Sequence, residues 1–418
     1  MNEKLSAKNI IISIIKSIDL YNFLLKDHHR RTAIISYQLG SMYGLEKKRL
    51  DELVLASSLH DIGALHITER DKLIEVDVAF PERHEQLGAA MLSGFGPFAG
   101  IASIIRHHHV NFAEFMNGKF KNEEIPLECF LLNLADRIDV LLLRNANMAN
   151  PRGKIVEEIT ARFGTVFDPC FAEVFDRAVK SDEFWLNIEH QSFGELLLST
   201  VDDSYHELTN DDIKALVIIF AKIVDYKSPW TSSHSQTVGI LANKIGLLLG
   251  LSNEECLELA IAGYLHDIGK VAVATELINK PGPLSSTELL YMKEHALYSN
   301  LILSSIHGLE KIARWAANHH EKRDRTGYPK MIDGNQFDYQ MDIVAYADII
   351  SALIEDRPYR QGFSQAQVID ILLEMGPDKL DGRVLDIILS NMDDIYSIAR
   401  NMKDWSGSKV CLLSAELS

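Results

Sequence analysis

Residues 265–270 read Leu-His-Asp-Ile-Gly-Lys and place an adjacent histidine and aspartate in an otherwise apolar helical stretch. A neutral imidazole and a carboxylate together suit iron, manganese or zinc, and the two carboxylate oxygens can bridge two ions. An isolated pair of this kind is explained equally well by hydrogen bonding in a helical core. The rest of the chain must therefore decide between a metal site and a core.

Composition limits the classes of protein that this chain can be. Its 418 residues, 47% of them hydrophobic, are enough for two or three domains. The net charge of −17 argues against a long nucleic-acid partner, which basic patches normally bind, but leaves room for a small phosphate ligand. Four cysteines without CxxC spacing predict core thiols and a reducing, cytoplasmic compartment. Charged residues interrupt the longest apolar runs, so no membrane span is predicted.

Apolar residues recur at helical spacing almost throughout, which predicts an all-α protein. Sliding the chain along itself reveals an internal repeat of about 150 residues, with offsets of 206 to 212 between matched positions. The matched positions are His28 with His234, His60-Asp61 with His266-Asp267, His84 with His295, His107-His108 with His319-His320, and Asp136 with Asp348. Unrelated core histidines have no reason to keep such spacing, so the repeat favours two equivalent metal-binding units.

The repeat also predicts the domain organisation as two tandem helical bundles. We expect an N-terminal unit at residues 1–178, a connector at residues 179–207 and a C-terminal unit at residues 208–418.

The C-terminal half resembles a known family. The order of histidines and aspartates, with HHEKRDRTGYP at 319–329 and RPYR at 357–360, resembles the HD superfamily of metal-dependent phosphohydrolases, and residues 208–392 resemble its HD-GYP family. That resemblance implies a helical bundle with two or three metal ions, usually iron or manganese, that hydrolyses a cyclic dinucleotide such as c-di-GMP or 3′,3′-cGAMP. The product is a linear dinucleotide, and further cleavage to mononucleotides stays open. It implies one metal held by His234, His266, Asp267 and Asp348, and a second held by Asp267, His295, His319 and His320.

The same resemblance implies roles for residues around the metals. Two ions can activate water at neutral pH and stabilise the entering and leaving oxygens, with Asp267 bridging them. Lys270 would neutralise a non-bridging phosphate oxygen or assist the leaving group, although a solvated lysine at a helix end is the alternative. The groups implied to bind the nucleotide are Tyr328, Arg357 and Arg360, with a surface ion pair to Asp356 as the alternative for Arg357.

Two departures from the family pattern bear on the C-terminal site. Trp230 stands where some members have a glutamate that supports a third metal, so two ions are expected here. Arg325 stands where the family commonly has glycine, which bears on the conformation of the loop.

The N-terminal half resembles the wider HD superfamily but lacks the GYP segment. Ala64 replaces the lysine, and Asn145 and Met148 replace the arginine pair. It keeps a candidate metal site at His28, His60, Asp61, His84, His107, His108 and Asp136. A regulatory or dimerising unit and a second hydrolase of unknown substrate are both consistent with this pattern.

Two other functions stay open for the whole chain. One is a non-catalytic signalling module that binds a dinucleotide and passes its state to a protein partner or a second copy in a homodimer. The other is a broader nucleotide phosphohydrolase. The complete ligand set of the C-terminal half favours the phosphodiesterase, because a binding module has no need of a two-metal hydrolytic centre.

Overall fold

The chain is helical, as its sequence predicts. A computed structural model describes residues 27–64, 83–93, 98–190 without 147 and 149, part of 217–225, and 233–402 without 307, 357–359 and 377. An isolated β-bridge joins Phe163 and Phe167. The chain divides into two compact units, residues 2–215 and 216–418. None of the helices in the described part is long and apolar enough to cross a bilayer.

The N-terminal unit is a bundle of α-helices, and the first helix of its described part opens on a histidine. In chain order the helices are α1 His28–Tyr43, α2 Lys47–Leu59, α3 Arg83–Ser93, α4 Ala99–Arg106, α5 Phe112–Met116, α6 Leu127–Arg144, α7 Pro151–Thr160, α8 Ala172–Val179 and α9 Asp182–His190.

Helix α9 falls in the segment predicted as a connector, and it buries Phe184, Trp185 and Ile188. The side chain of Gln38 in α1 donates to the carbonyl of Phe184, at 3.3 Å. The start of the predicted connector is therefore packed on the N-terminal unit, and the exact domain boundaries stay a prediction.

The C-terminal unit repeats the same plan. Its helices are α10 His234–Leu248, α11 Asn253–Leu265, α12 Thr275–Ile278, α13 Ser286–Ser304, α14 Glu310–Ala317, α15 Tyr339–Ile354, α16 Gln365–Met375 and α17 Gly382–Ser390. Helix α10 is followed by Gly250 and helix α1 by Gly44, each with a positive φ that favours glycine at a helix end. Helices α11 and α13 each start with a serine–glutamate capping box, which satisfies free amides at the helix N-terminus.

The cysteines follow the sequence prediction in part. Cys129 and Cys256 are buried free thiols, as expected of core residues. Cys170 is exposed, so its prediction as a core thiol is wrong, because it lies in a short 3-10 turn at the surface. Cys411 lies outside the described residues.

A glycine fixes the closest approach in each bundle. After α11 the chain turns into a 3-10 helix, Ile268–Ala272, that lies against α13. A Cβ on Gly269 would come within 1.9 Å of the carbonyl oxygen of His295, and one on Gly63 within 2.1 Å of that of His84. Each histidine–aspartate pair can therefore lie this close to the helix that carries the next histidine only because glycine stands two residues after the aspartate.

We expect Gly269→Ala to lower the free energy of unfolding of the C-terminal unit by about 3 kcal/mol, because the added methyl group must push α13 away. Denaturant unfolding of the full chain measures the change. Gly100→Ala is the control, since a Cβ there meets only the flexible carboxylate of Glu52 at 3.3 Å. Equal stability of both variants would show that the crossing tolerates a side chain.

Candidate active site

The C-terminal unit brings its predicted metal ligands together at one end of the bundle. His234 opens α10, the His266-Asp267 pair follows α11, and His295 lies in α13. The two remaining elements contribute the rest of the set, namely His319 and His320 after α14 and Asp348 in α15. One ligand atom from each residue of a group lies within 4.8 Å of the others in that group. The two groups are His295, His319 and His320, and His234, His266 and Asp348.

The carboxylate of Asp267 points its two oxygens at two different histidine groups. Oδ2 lies 3.2 Å from Nε2 of His266 and 3.8 Å from Nε2 of His234. Oδ1 lies 3.4 Å from Nε2 of His295 and 4.0 Å from Nε2 of His319. The carboxylate of Asp348 belongs with the first group, because its Oδ1 lies 3.2 Å from Nε2 of His234. This division is the geometry that a carboxylate bridging two cations would have.

The histidine rings are oriented with one nitrogen toward this cluster. Nδ1 of His266, His295 and His319 donates to the carbonyl three residues earlier, at 2.6 to 2.7 Å. Their Nε2 atoms and Oδ1 of Asp267 are buried and make no hydrogen bond to the described part of the chain. Buried polar atoms without partners cost free energy, so their convergence fits a bound cation rather than a polar core.

Electrostatics support the same reading. Burial lowers the pKa of His319 to about 3, so its imidazole is neutral at pH 7, the form that binds a metal. Burial opposes ionisation of Asp267, but His266 and Lys270 together hold the pKa of its carboxyl well below the usual value. His319 and Asp267 thus present a neutral imidazole and an ionised carboxylate, the donor types of iron, manganese and zinc sites.

His234 is held differently from the other histidines. As the first residue of α10 it has no helical carbonyl three residues earlier, and its Nδ1 lies 3.0 Å from Oε1 of Glu355. Ser351 donates its hydroxyl to the same carboxylate oxygen, at 2.9 Å. A carboxylate on the far nitrogen fixes which imidazole nitrogen faces the cluster and raises its basicity. Glu355 is buried and was missed in the sequence.

We expect Glu355→Gln to weaken metal binding by the C-terminal unit about 10- to 100-fold, since the imidazole of His234 loses its charged partner. Competition with a chelator measures the affinity. Asp139→Asn is the matched control, because Asp139 contacts Nδ1 of His28 in the N-terminal unit, at 2.7 Å. Unchanged affinity in the Glu355 variant would contradict the role.

The residues of the GYP segment lie against the cluster. The Tyr328 ring is 4.6 Å from the His320 ring, with an angle of 33° between their planes. Nζ of Lys270 is hydrogen-bonded to Oδ2 of Asp267. Gly327 has no positive φ. Glycine is required there because a Cβ would come within 2.4 Å of the amide nitrogen of Lys322.

The loop keeps a glycine-like bend at the position where it departs from the family. Arg325 has a φ of 64°, in the left-handed region that favours glycine. Its guanidinium pairs with Asp333 across the loop. The buried carboxylate of Glu321 accepts from the amides of Lys330 and Ile332, at 2.6 and 3.2 Å. These contacts hold the loop in place despite the arginine.

Of the predicted arginine pair, the structure describes Arg360. Arg360 donates to backbone carbonyls at the end of α15, among them those of Ala352 at 2.7 Å and Leu353 at 3.2 Å. Its guanidinium thereby satisfies carbonyls that the end of the helix leaves open. Arg357 and Trp230 lie outside the described residues.

The N-terminal unit forms a second cluster of the same design. Oδ2 of Asp61 lies 3.3 Å from Nε2 of His60, and its Oδ1 lies 3.6 Å from Nε2 of both His84 and His108. Nε2 of His28 lies 3.4 Å from Oδ1 of Asp136. Burial lowers the pKa of His84 to about 4, so that this imidazole too is neutral.

One predicted member of the N-terminal set, His107, is not brought together with the others. His107 lies apart from the cluster, with Nε2 2.9 Å from Glu123 and Nδ1 bonded to the carbonyl of Ser103. His108 and His109 instead form the pair, with ring centroids 4.1 Å apart, as those of His319 and His320 are 3.9 Å apart. The offset of 211 that relates His84 to His295 also relates these pairs, and applying it would have found His109.

Comparison with known proteins agrees with the two clusters. One family model of the HD domain matches residues 25–141, and another family model of the HD domain matches residues 219–384. The chain therefore belongs to the HD-domain proteins and carries two such domains.

Individual relatives are similar over most or part of the chain. A 3′3′-cGAMP-specific phosphodiesterase 1 of Vibrio cholerae is 29% identical over 91% of both chains. A 3′3′-cGAMP-specific phosphodiesterase 3 of the same organism is 34% identical over 61% of this chain and 54% of its own length. The crystal structure of a V. cholerae cyclic GMP-AMP specific phosphodiesterase matches 94% of this chain and 98% of its own, with a TM-score of 0.64 and 24% identity, which shows a shared fold.

Proposed function

We propose that the C-terminal unit is a metal-dependent phosphodiesterase that hydrolyses a cyclic dinucleotide to a linear dinucleotide. The observation that supports this most is the carboxylate of Asp267, which faces one histidine group with each oxygen and carries Lys270 at its side. A site that only binds a dinucleotide has no need of this arrangement.

The proposed centre takes two divalent ions, iron or manganese. One set of ligands is His234, His266, Asp267 and Asp348, and the other is Asp267, His295, His319 and His320. When bound, such a pair supplies Lewis-acid activation of water and of the phosphate.

The chain's own side chains act around the centre. Lys270 is a quarter exposed while it contacts Asp267, so its ammonium is accessible to a phosphate oxygen at the edge of the cluster. There it would offset the negative charge that grows on the phosphate during displacement. Tyr328, packed on His320, offers a flat face to a base or sugar.

The named relatives favour one substrate within the class. Since the relative that matches 91% of the chain is 3′3′-cGAMP-specific, we propose 3′,3′-cGAMP as the preferred substrate and c-di-GMP as the second candidate. Product analysis with both dinucleotides, under anaerobic iron and aerobic manganese conditions, tests the proposal. Binding of either dinucleotide without turnover under both conditions would favour the non-catalytic signalling module instead.

The N-terminal unit is proposed to bind metal without acting on the dinucleotide. Its proposed ligands are His28, His60, Asp61, His84, His108, His109 and Asp136. The buried Ala64 replaces the lysine, and no tyrosine loop follows the histidine pair. A homodimer or a signalling partner, and a cytoplasmic location, stay predictions from the sequence.

A further inference from the structure

Lys293 has no counter-charge in the described part of the C-terminal unit, unlike Lys244, Lys270, Lys280 and Lys311. Its side chain is half-buried, yet it makes no hydrogen bond or ion pair with a carboxylate in the part of the chain that the structure describes. Lys311 has a similar contact with an aromatic ring, 4.8 Å from the centroid of Trp315, but is also paired with Glu258 at 2.6 Å. No carboxylate of the described chain therefore neutralises the ammonium of Lys293, which leaves it able to pair with an anionic ligand.

The position of Lys293 is next to the metal cluster. It precedes His295 by two residues in α13, and its Nζ lies 4.9 Å from the centre of the Tyr328 ring. The same ring packs on His320, so one aromatic side chain links the lysine to the histidine cluster. Cation–π contact holds an ammonium in place without neutralising it. The charge of Lys293 is thus available to a ligand that enters beside Tyr328.

We propose that Lys293, held against Tyr328, forms a subsite for the second phosphate of the cyclic dinucleotide. This inference rests on the proposed function. The substrate carries two phosphodiester groups on one ring, and only one of them can lie at the metal cluster beside Lys270. The other keeps its negative charge and needs a cation outside the cluster. Arg360 is committed to the carbonyls of α15, which leaves Lys293 as the cation that the described structure places against the tyrosine.

The N-terminal unit provides an internal comparison. The offset of 211 that relates the histidine pairs puts Glu82 at the position of Lys293 and Asn117 at that of Tyr328. The cation and the aromatic ring are therefore both replaced in the unit that has no GYP segment. The two residues differ together between the units, as expected of parts of one subsite.

The test compares two substrates that differ in their number of phosphates. Bis(4-nitrophenyl) phosphate has a single phosphodiester, whereas 3′,3′-cGAMP has two. For Lys293→Gln we expect the ratio of kcat/KM for 3′,3′-cGAMP to kcat/KM for the single diester to fall about tenfold, mainly through KM, with metal content retained. Lys293→Arg should recover most of the ratio, because it restores the charge.

Lys311→Gln is the matched control, since it removes a lysine from another aromatic ring of the same unit, and it should leave the ratio as in the original chain. An unchanged ratio in Lys293→Gln, beside normal hydrolysis of 3′,3′-cGAMP by the original protein, would overturn the subsite alone. An original protein that cleaves the single diester but neither 3′,3′-cGAMP nor c-di-GMP would overturn the proposed function and the subsite with it.

Discussion

Replacing Asp267 with alanine is expected to abolish hydrolysis of the cyclic dinucleotide and to remove metal from the C-terminal unit. Its two oxygens face separate histidine groups, at 3.2 Å for His266 and 3.4 Å for His295, so one substitution removes a donor from both proposed ions. The loss should exceed the roughly 10- to 100-fold effects of residues that only support a ligand, and we expect at least about a thousandfold.

The metal content per chain and the initial rate of dinucleotide hydrolysis, measured on the same variant, test this prediction. Asp61→Ala is the matched control, because Asp61 has the same two-sided contacts in the N-terminal unit, with His60 and with His84. That variant should lose N-terminal metal while the C-terminal unit keeps hydrolysing the dinucleotide. Full activity of Asp267→Ala would remove the two-metal mechanism, and complete loss of activity in a folded Asp61→Ala would place the chemistry in the other half.

Lys270→Ala is expected to lower kcat about a hundredfold while the C-terminal metals stay bound. The side chain contacts Oδ2 of Asp267 through its ammonium but supplies no metal ligand, so its removal costs charge stabilisation in the transition state. It also removes a cation that holds the pKa of the Asp267 carboxyl low, but His266 acts on that carboxyl in the same direction and remains. Metal binding should therefore survive.

The measurement is kcat beside metal content, with Lys280→Ala as the control. Lys280 is paired with Glu288 at 2.6 Å near the start of α13, so its loss removes an ordinary ion pair. Lys270→Arg should recover part of kcat, because the charge returns in a different shape. If Lys270→Ala loses its metal, the lysine supports the site rather than the reaction.

Much of the fold and of the C-terminal cluster could be predicted from the sequence. Helical periodicity indicates the helices directly, because it records which face of each helix is buried. The repeat then relates the histidines of one half to those of the other, and the positions it predicted in the C-terminal half lie within reach of one another. The helices and the matched histidines could both be predicted because both depend on the order of residues along the chain.

The sequence by itself determined the helical class, the twofold repeat and the types of residue that converge at each cluster. Tertiary structure alone decided which carboxylates hold the first histidine of each cluster, namely Glu355 and Asp139. Glu355 follows Asp348 by seven residues whereas Asp139 follows Asp136 by three, so no fixed spacing marks either carboxylate. It also decided that His107 turns toward Glu123, because a side chain's direction depends on where its helix ends. Spacing specifies neighbours along one helix, while contacts between helices depend on how those helices pack.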